Sequence, residues 1–270
     1  MRPFRSCTGH PTPYPDQTHP AFGKQSGKAM DWQAHRREAH KLGRTQEYLK
    51  QLVYGGNDGI VTTFAIVAGF AGAAADGVAQ IGGLAVLVFG LANLFADAVS
   101  MGLGEFLSLR SQHDLYRARR NSELDEIMQN PDQERMELFE ILRQRGLPAG
   151  EADTAAGILS RHPEIMADLM MTYEFGMTDP ADESPLLNGL STFLAFVAFG
   201  SIPLAPYFLL PPDDRTFLLS VAATALALTS LGLLRWSATG ERLFRSVGET
   251  ILVGSICAMV AFVVGWIVGG

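Results

Sequence analysis

An aspartate lies within an otherwise apolar stretch near the end of the first quarter of the chain, and it is the first candidate for chemistry. Asp58 follows Tyr54-Gly-Gly-Asn and precedes Gly59. A carboxylate at the centre of a bilayer costs about 2.5–3.5 kcal/mol on insertion scales, so such a residue normally faces a polar cavity. The alternative is that Asp58 lies at the membrane interface and caps its helix. Because residues 60–75 alone are short for a membrane span, we expect the helix to begin before Asp58.

A second candidate site follows one face of the next apolar segment. Its members recur at every fourth position, and they are Asn93, Asp97, Met101 and Glu105. Residues four apart lie on the same face of an α-helix. Carboxylates suit hard ions as well as Fe²⁺ and Mn²⁺, and a thioether favours borderline or softer metals. A Met alone in such a helix is ordinarily packing, but the flanking acids favour a mixed ligand set for a divalent metal.

A third group of candidate ligands lies in the polar segment that follows. It consists of two Glu-x-x-Glu pairs and a Met-Met-x-x-Glu run, namely Glu123, Glu126, Glu134, Glu137, Met170, Met171 and Glu174. Pro131 separates the two pairs, so two helices folded against each other could bring four carboxylates together. Paired glutamates of this kind hold di-iron sites in helical bundles. Judged from these residues alone, solvated surface is the commoner explanation, as it is for Glu140 and Glu151.

Five apolar segments must position these residues. Each is long enough to cross a hydrocarbon core, which takes roughly 20 helical residues, and 47% of the chain is hydrophobic. We therefore predict an all-α membrane protein with five transmembrane helices and a helical metal-binding domain inserted between spans two and three. The five segments are 52–75, 81–104, 187–210, 217–234 and 248–269. The predicted divisions are a disordered or charged N-terminal segment at 1–45, spans one and two at 46–110, the acidic cytoplasmic domain at 111–185 and spans three to five at 186–270.

Charge distribution predicts the orientation and the kind of partner. Links rich in Lys and Arg alternate with links poor in them, which places the N-terminus and the insert in the cytoplasm and the C-terminus outside. The formal charge of −7 is concentrated in the insert, which favours a cation as partner and argues against nucleic acid. Cys7 and Cys257 form no ligand pair. Met30 precedes a charged helical pattern and is an alternative start of the chain. No secretory signal is apparent.

Three blocks of the sequence resemble the vacuolar iron transporter family, which comprises iron and manganese carriers of fungal, plant and bacterial type. They are GNDGIVTTF at 56–64, ADAVSMGLGEF at 96–106 and DLMMTYEFG at 168–176. The resemblance covers about residues 45–270. It implies a proton-coupled Fe²⁺ exporter that works as a homodimer of five-span subunits, with a pathway between subunits lined by Asp58 and Met101. It also implies a cytoplasmic domain that binds metal through the two Glu pairs, Met170, Met171 and Glu174.

One departure from the family concerns the second span. Some members carry a Glu eight residues before the Met, and that position here is Asn93. Asp97, one turn later, could supply the charge instead. Metal preference or proton coupling could therefore differ from that of other members.

Export of Fe²⁺ by proton antiport is the expected function, with Mn²⁺, Zn²⁺ or Co²⁺ as other possible cargoes. No enzyme activity and no cofactor are expected, and the partners are divalent metal ions, protons, membrane lipid and a second copy of the chain. A membrane-bound di-iron oxidase is disfavoured, because the Glu-x-x-His spacing is missing. An iron-sensing membrane protein would leave Asp58 and the second-span residues unexplained. A bacterial cytoplasmic membrane is the expected location.

Overall fold

Helices account for all the regular structure in the part of the chain that the computed structural model describes, which is residues 48–74, 83–211 and 213–269. These residues belong to one compact unit, Arg44–Gly270. The predicted N-terminal segment at 1–45, Met30 included, lies outside the described residues. The helices are α1 (Leu49–Ala74), α2 (Gly83–Gln129), α3 (Pro131–Gln144), α4 (Ala149–Leu159), α5 (Pro163–Tyr173), α6 (Pro185–Gly200), α7 (Ala205–Leu209), α8 (Asp214–Thr239) and α9 (Leu243–Gly269).

Three of the described helices are long and apolar enough to cross a membrane, and they are α2, α8 and α9. Helix α1 has 26 residues, about 39 Å at 1.5 Å per residue, but it carries Lys50 and Asp58 and is not among the helices with a span-length window of high hydropathy. Helix α6 has 16 residues, about 24 Å, which is shorter than the roughly 30 Å of a hydrocarbon core. The all-helical fold class is therefore confirmed, and the count of five spans stays a prediction.

The third apolar segment is a helix that ends and restarts. Helix α6 ends at Gly200, a turn follows, and the short α7 begins at Ala205. Pro203 and Pro206 lack the backbone N–H that a continuous helix needs at these positions. Leu204, between them, is completely buried in one apolar cluster with Phe64 and Val67 of α1. The two prolines and the burial of Leu204 together define a bend in the third apolar segment.

Helix α1 is the central element of the apolar bundle, in contact with α2, α6, α8 and α9. Glycines allow its neighbours to approach at backbone distance. A Cβ atom at Gly59 would lie 2.5 Å from the Phe196 carbonyl oxygen of α6, and one at Gly265 of α9 would collide with the Gly69 carbonyl. Small residues at helix contacts are the usual means of close packing in membranes. The position of Asp58 is therefore set by helices on several sides.

A second apolar core lies outside the membrane-spanning part. Helix α2 has 47 residues, about 70 Å, so its polar half extends well beyond a hydrocarbon core. That half packs with α3, α4 and α5, and we call this assembly the cap. Pro131 begins α3, where its missing N–H costs nothing. The core of the cap is formed by Ile127, Leu138, Ala156, Met166, Ala167 and Met170.

Charged and aromatic contacts attach α5 and the chain after it to α2. Arg120 donates from Nε to Asp168 at 2.7 Å and from Nη2 to Glu164 at 2.6 Å. The guanidinium of Arg119 lies 4.1 Å from the ring centre of Phe175, a cation–π contact. These contacts fix the position of the segment that ends in Glu174.

Candidate functional site

Two aspartates from different helices approach each other in the apolar bundle. Asp58 of α1 is half-buried and lies within electrostatic reach of Asp97 on α2. Asn93, one turn before Asp97, donates from Nδ2 to Asp97 Oδ2 at 2.6 Å. Two carboxylates of like charge in a region of low polarity favour a cation or a proton between them. The structure thus brings together the first candidate site and part of the second.

The remaining acid of the second span is held at the beginning of α1. Glu105 Oε1 accepts hydrogen bonds from Lys50 Nζ at 3.3 Å and from Gln51 Nε2 at 3.4 Å. Gln51 is only 4% exposed, and its Oε1 is buried with no hydrogen-bond partner among the described residues. Neither Lys50 nor Gln51 is among the candidate residues predicted from the sequence. A signal was present for Gln51, because it precedes Asp58 by seven residues and so lies on the same helix face.

Met101 has a packing role in the structure. The four residues Asn93, Asp97, Met101 and Glu105, which we call the α2 stripe, are all half-buried. They border the buried face of α2, and Met101 packs against the cluster of Leu94, Ala98 and Phe196. A thioether in contact with apolar side chains is what the alternative explanation of Met101 predicts. Its role as a metal ligand stays a prediction.

Two glutamates of the cap are buried against each other. Glu123 of α2 is 2% exposed and Glu134 of α3 is 3% exposed, and their carboxyl groups are within hydrogen-bonding reach. Glu123 Oε1 has no N–H or O–H donor among the described residues. Burial, and then the charges of Glu134, Glu174 and Glu126, raises the pKa of Glu123 to about 7. A buried carboxyl pair without donors is stabilised by a shared proton or by a bound cation.

Three further carboxylates surround this pair. Burial raises the pKa of Glu134 and of Glu174, and the charge of Glu137 adds to both effects. We call the five residues the glutamate cluster, and they are Glu123, Glu126, Glu134, Glu137 and Glu174. In the described part of the chain, no three His, Cys, Asp or Glu side chains already stand at the spacing of a formed metal site. The cluster therefore concentrates negative charge, and ligand distances would be reached only if it contracted around an ion.

The two predicted methionine ligands are fully buried. Met170 belongs to the apolar core of the cap, beside Ile127 and Leu138. Met171 is also 0% exposed, and its carbonyl accepts a hydrogen bond from the Met177 N–H at 2.9 Å. Their observed role is packing, which holds α5 on the cap and so positions Glu174 at the C-terminal end of that helix. Coordination of a metal by either sulfur stays a prediction.

Comparison with known proteins covers all of these residues. Residues 49–266 match the family model described as "VIT family". Vacuolar iron transporter 1 of Arabidopsis thaliana is 34% identical over 216 residues, which is 80% of this chain and 84% of the relative. Vacuolar iron transporter 1 of rice (Oryza sativa subsp. japonica) is 33% identical over 216 residues, 80% of this chain and 83% of the relative.

A third relative extends the likeness beyond plants. The vacuolar iron transporter of Toxoplasma gondii is 33% identical over 238 residues, which is 84% of this chain and 77% of the relative. All three relatives are named as transporters, and none as an enzyme. The matched region contains Asp58, the α2 stripe and the glutamate cluster. On the family match and on these identities, the chain belongs to the VIT family.

Proposed function

We propose that this protein exports Fe²⁺ from the cytoplasm across a membrane in exchange for protons. The single observation that carries the proposal is the packing of α1 against α2, which places the half-buried Asp58 and Asp97 within electrostatic reach of each other. A pair of carboxylates can exchange a divalent ion for protons, because both neutralise the same charge. The names of the relatives favour iron as cargo. Mn²⁺, Zn²⁺ and Co²⁺ accept the same carboxylate and thioether ligands and are the alternatives to test.

The pathway that we propose begins at the cap. The glutamate cluster raises the local concentration of divalent ions, and Glu105 with Met101 receives them at the beginning of the bundle. The ion then passes to Asp58 and Asp97. A proton that moves the other way neutralises one of these carboxylates and weakens the ligand set, which releases the ion outside.

Helix packing supports five spans. Helix α1 lies between α6, α8 and α9 and also contacts α2. Since α2, α8 and α9 are each long and apolar enough to cross a membrane, the helix that they surround lies at the same depth. Helix α6 and the short α7 would together form the remaining span. On this arrangement the cap and the basic residues Lys50, Arg235 and Arg245 lie on one side, which the positive-inside rule assigns to the cytoplasm.

A groove on the bundle supports a homodimer. It lies between α1, α2 and α9 and has a volume of about 920 Å³. Small residues line this groove, among them Ala65, Gly69, Ala92 and Ala96. Small residues permit close helix approach. Asn93 lies on the same surface, next to Asp97. We propose that a second copy covers this groove, so that the pathway runs between subunits in a bacterial cytoplasmic membrane.

Metal flux into proteoliposomes tests the transport proposal. Wild-type protein should accumulate Fe²⁺ only when a proton gradient is imposed, and Asp58→Asn should abolish the flux while leaving the thermal unfolding temperature within a few degrees. Asp114→Asn is the matched control, since Asp114 is exposed on the polar half of α2. Its flux should equal that of the wild type.

Two results would decide against the proposal. If wild-type protein carries neither Fe²⁺ nor Mn²⁺ under any gradient, transport is the wrong function and an iron-sensing membrane protein takes its place. If Asp58→Asn carries iron as well as Asp114→Asn does, a pathway exists but does not include Asp58.

A further inference from the structure

A second groove, distinct from the proposed dimer surface, lies where three helix ends meet. It is formed by the beginning of α1, the end of α8 and the beginning of α9, and has a volume of about 840 Å³. Leu49, Val53 and Val253 provide apolar walls, while Lys50 and Arg235 provide positive charge. We call it the basic groove. A groove lined by both apolar and cationic side chains matches an amphiphile that has an anionic head.

The groove lies at the level where helices enter a membrane. Helix α8 ends at Thr239, Gly240 in the left-handed conformation makes the turn, and α9 begins at Leu243. Tyr54, at the wall of the groove, is 60% exposed, and Trp236 nearby on α8 is 41% exposed. Exposed Tyr and Trp are enriched at the headgroup level of membranes. The ligands that are abundant at this depth are phospholipids.

The cations of the groove are not fully neutralised within it. Among the described residues, Glu249 is the one acidic residue on its wall, and it pairs with Arg235 and with Arg245, each at 3.0 Å. The side chain of Lys50 is 74% exposed, and it pairs with Glu105 at 3.3 Å. Within the part of the chain that the structure describes, these pairs leave each cation with N–H groups that can donate to an additional oxygen.

We propose that the basic groove binds an anionic phospholipid, its phosphate between Lys50 and Arg235 and one acyl chain along Val53 and Val253. Basic pockets between membrane helices are known to hold anionic headgroups.

Native mass spectrometry of the purified protein with added lipid tests this proposal. Phosphatidylglycerol should bind more tightly than phosphatidylcholine, and glycerol 3-phosphate without acyl chains should bind far more weakly than either lipid-sized ligand. Lys50→Gln and Arg235→Gln should each weaken phosphatidylglycerol binding about fivefold, the contribution typical of one basic residue near a lipid surface. Val53→Trp, which fills the apolar part of the groove, should weaken it without any change of charge.

Arg215→Gln is the matched control, because Arg215 is an exposed arginine at the other end of the same helix. It should bind phosphatidylglycerol as the wild type does. Lys50 is exposed enough that its replacement should leave the protein folded, so Lys50→Gln keeps the test valid if Arg235→Gln does not fold. The proposal is overturned if phosphatidylglycerol and phosphatidylcholine bind equally, or if Arg215→Gln weakens binding as much as Lys50→Gln. It is also overturned if the protein forms a dimer that retains no lipid, since a second copy would then cover this groove. None of these measurements depends on transport, so they stand apart from the flux experiment.

Discussion

Replacement of Glu123 by Gln should stabilise the metal-free protein at alkaline pH. Glu123 is 2% exposed and faces the carboxyl group of Glu134. Its pKa is about 7 in the folded protein against an ordinary value of 4.5. Between these two pH values the folded state holds a proton that the unfolded state has lost. Stability therefore falls as the pH rises from about 4.5 through about 7, and stays low above that range.

The size of the effect follows from the pKa difference. One pKa unit corresponds to about 1.4 kcal/mol, so ionisation of Glu123 costs the folded protein about 3 kcal/mol at pH 8. Gln at this position carries no charge, and its amide can donate to Glu134. For a protein of this size, 3 kcal/mol corresponds to an increase of roughly 6–12 °C in the unfolding temperature. At pH 5, half a unit above the ordinary pKa, the cost is only about 0.8 kcal/mol, so the increase should be roughly 2–3 °C.

Thermal unfolding in detergent with a chelator present, at pH 5 and at pH 8, measures the difference. Glu151→Gln is the control, because Glu151 is an exposed glutamate on α4, and it should change neither temperature. Addition of Mn²⁺ or Fe²⁺ at pH 8 should then stabilise the wild type more than Glu123→Gln, because the ion replaces the missing charge. An unfolding temperature of Glu123→Gln that is below the wild type at both pH values would refute the reasoning, since it would mean that the buried pair stabilises the metal-free fold.

Two further predictions concern the packing that positions the sites. Arg120→Gln should lower the free energy of unfolding by about 1–2 kcal/mol, because it removes two charge-assisted hydrogen bonds from a side chain that is 24% exposed. Arg135→Gln removes a single ion pair, with Asp153, from a side chain that is 42% exposed, and it should cost less than about 1 kcal/mol. Chemical denaturation measures both losses, and equal losses would contradict this prediction. Gly59→Ala should lower the free energy of unfolding by about 1–3 kcal/mol, because its methyl group would lie 2.5 Å from the Phe196 carbonyl oxygen. The control is Gly248→Ala on α9, whose methyl group would meet no atom within 4 Å, and it should not lower the unfolding temperature.

The helical nature of the chain and its candidate residues could be predicted from local signals. Apolar stretches of about 20 residues predict membrane helices whatever their neighbours, because the bilayer is the solvent for each of them separately. Pro131 at the beginning of α3 and the break at Pro203 and Pro206 follow from the missing N–H of proline. The α2 stripe is equally local, since positions four apart share one helix face.

Burial and pairing were decided only by the tertiary structure. Glu123 and Glu126 belong to the same Glu-x-x-Glu motif, yet Glu123 is buried and Glu126 is exposed. The difference arises because α3 packs against only one side of α2, and a motif carries no information about which side that is. Met170 likewise was predicted as a ligand and is found packed in the core of the cap.

Residue type and helical periodicity are properties of short segments, so they predict which residues are candidates to meet a metal ion. Which candidates lie near one another depends on how the helices pack. Lys50 and Glu105 are 55 residues apart in the chain and 3.3 Å apart in space, and Asp58 lies within electrostatic reach of Asp97 because α1 and α2 are in contact. Such contacts depend on close packing between helices, which glycines such as Gly59 permit. Packing of this kind involves the surfaces of two helices at once, so neither helix sequence determines it alone.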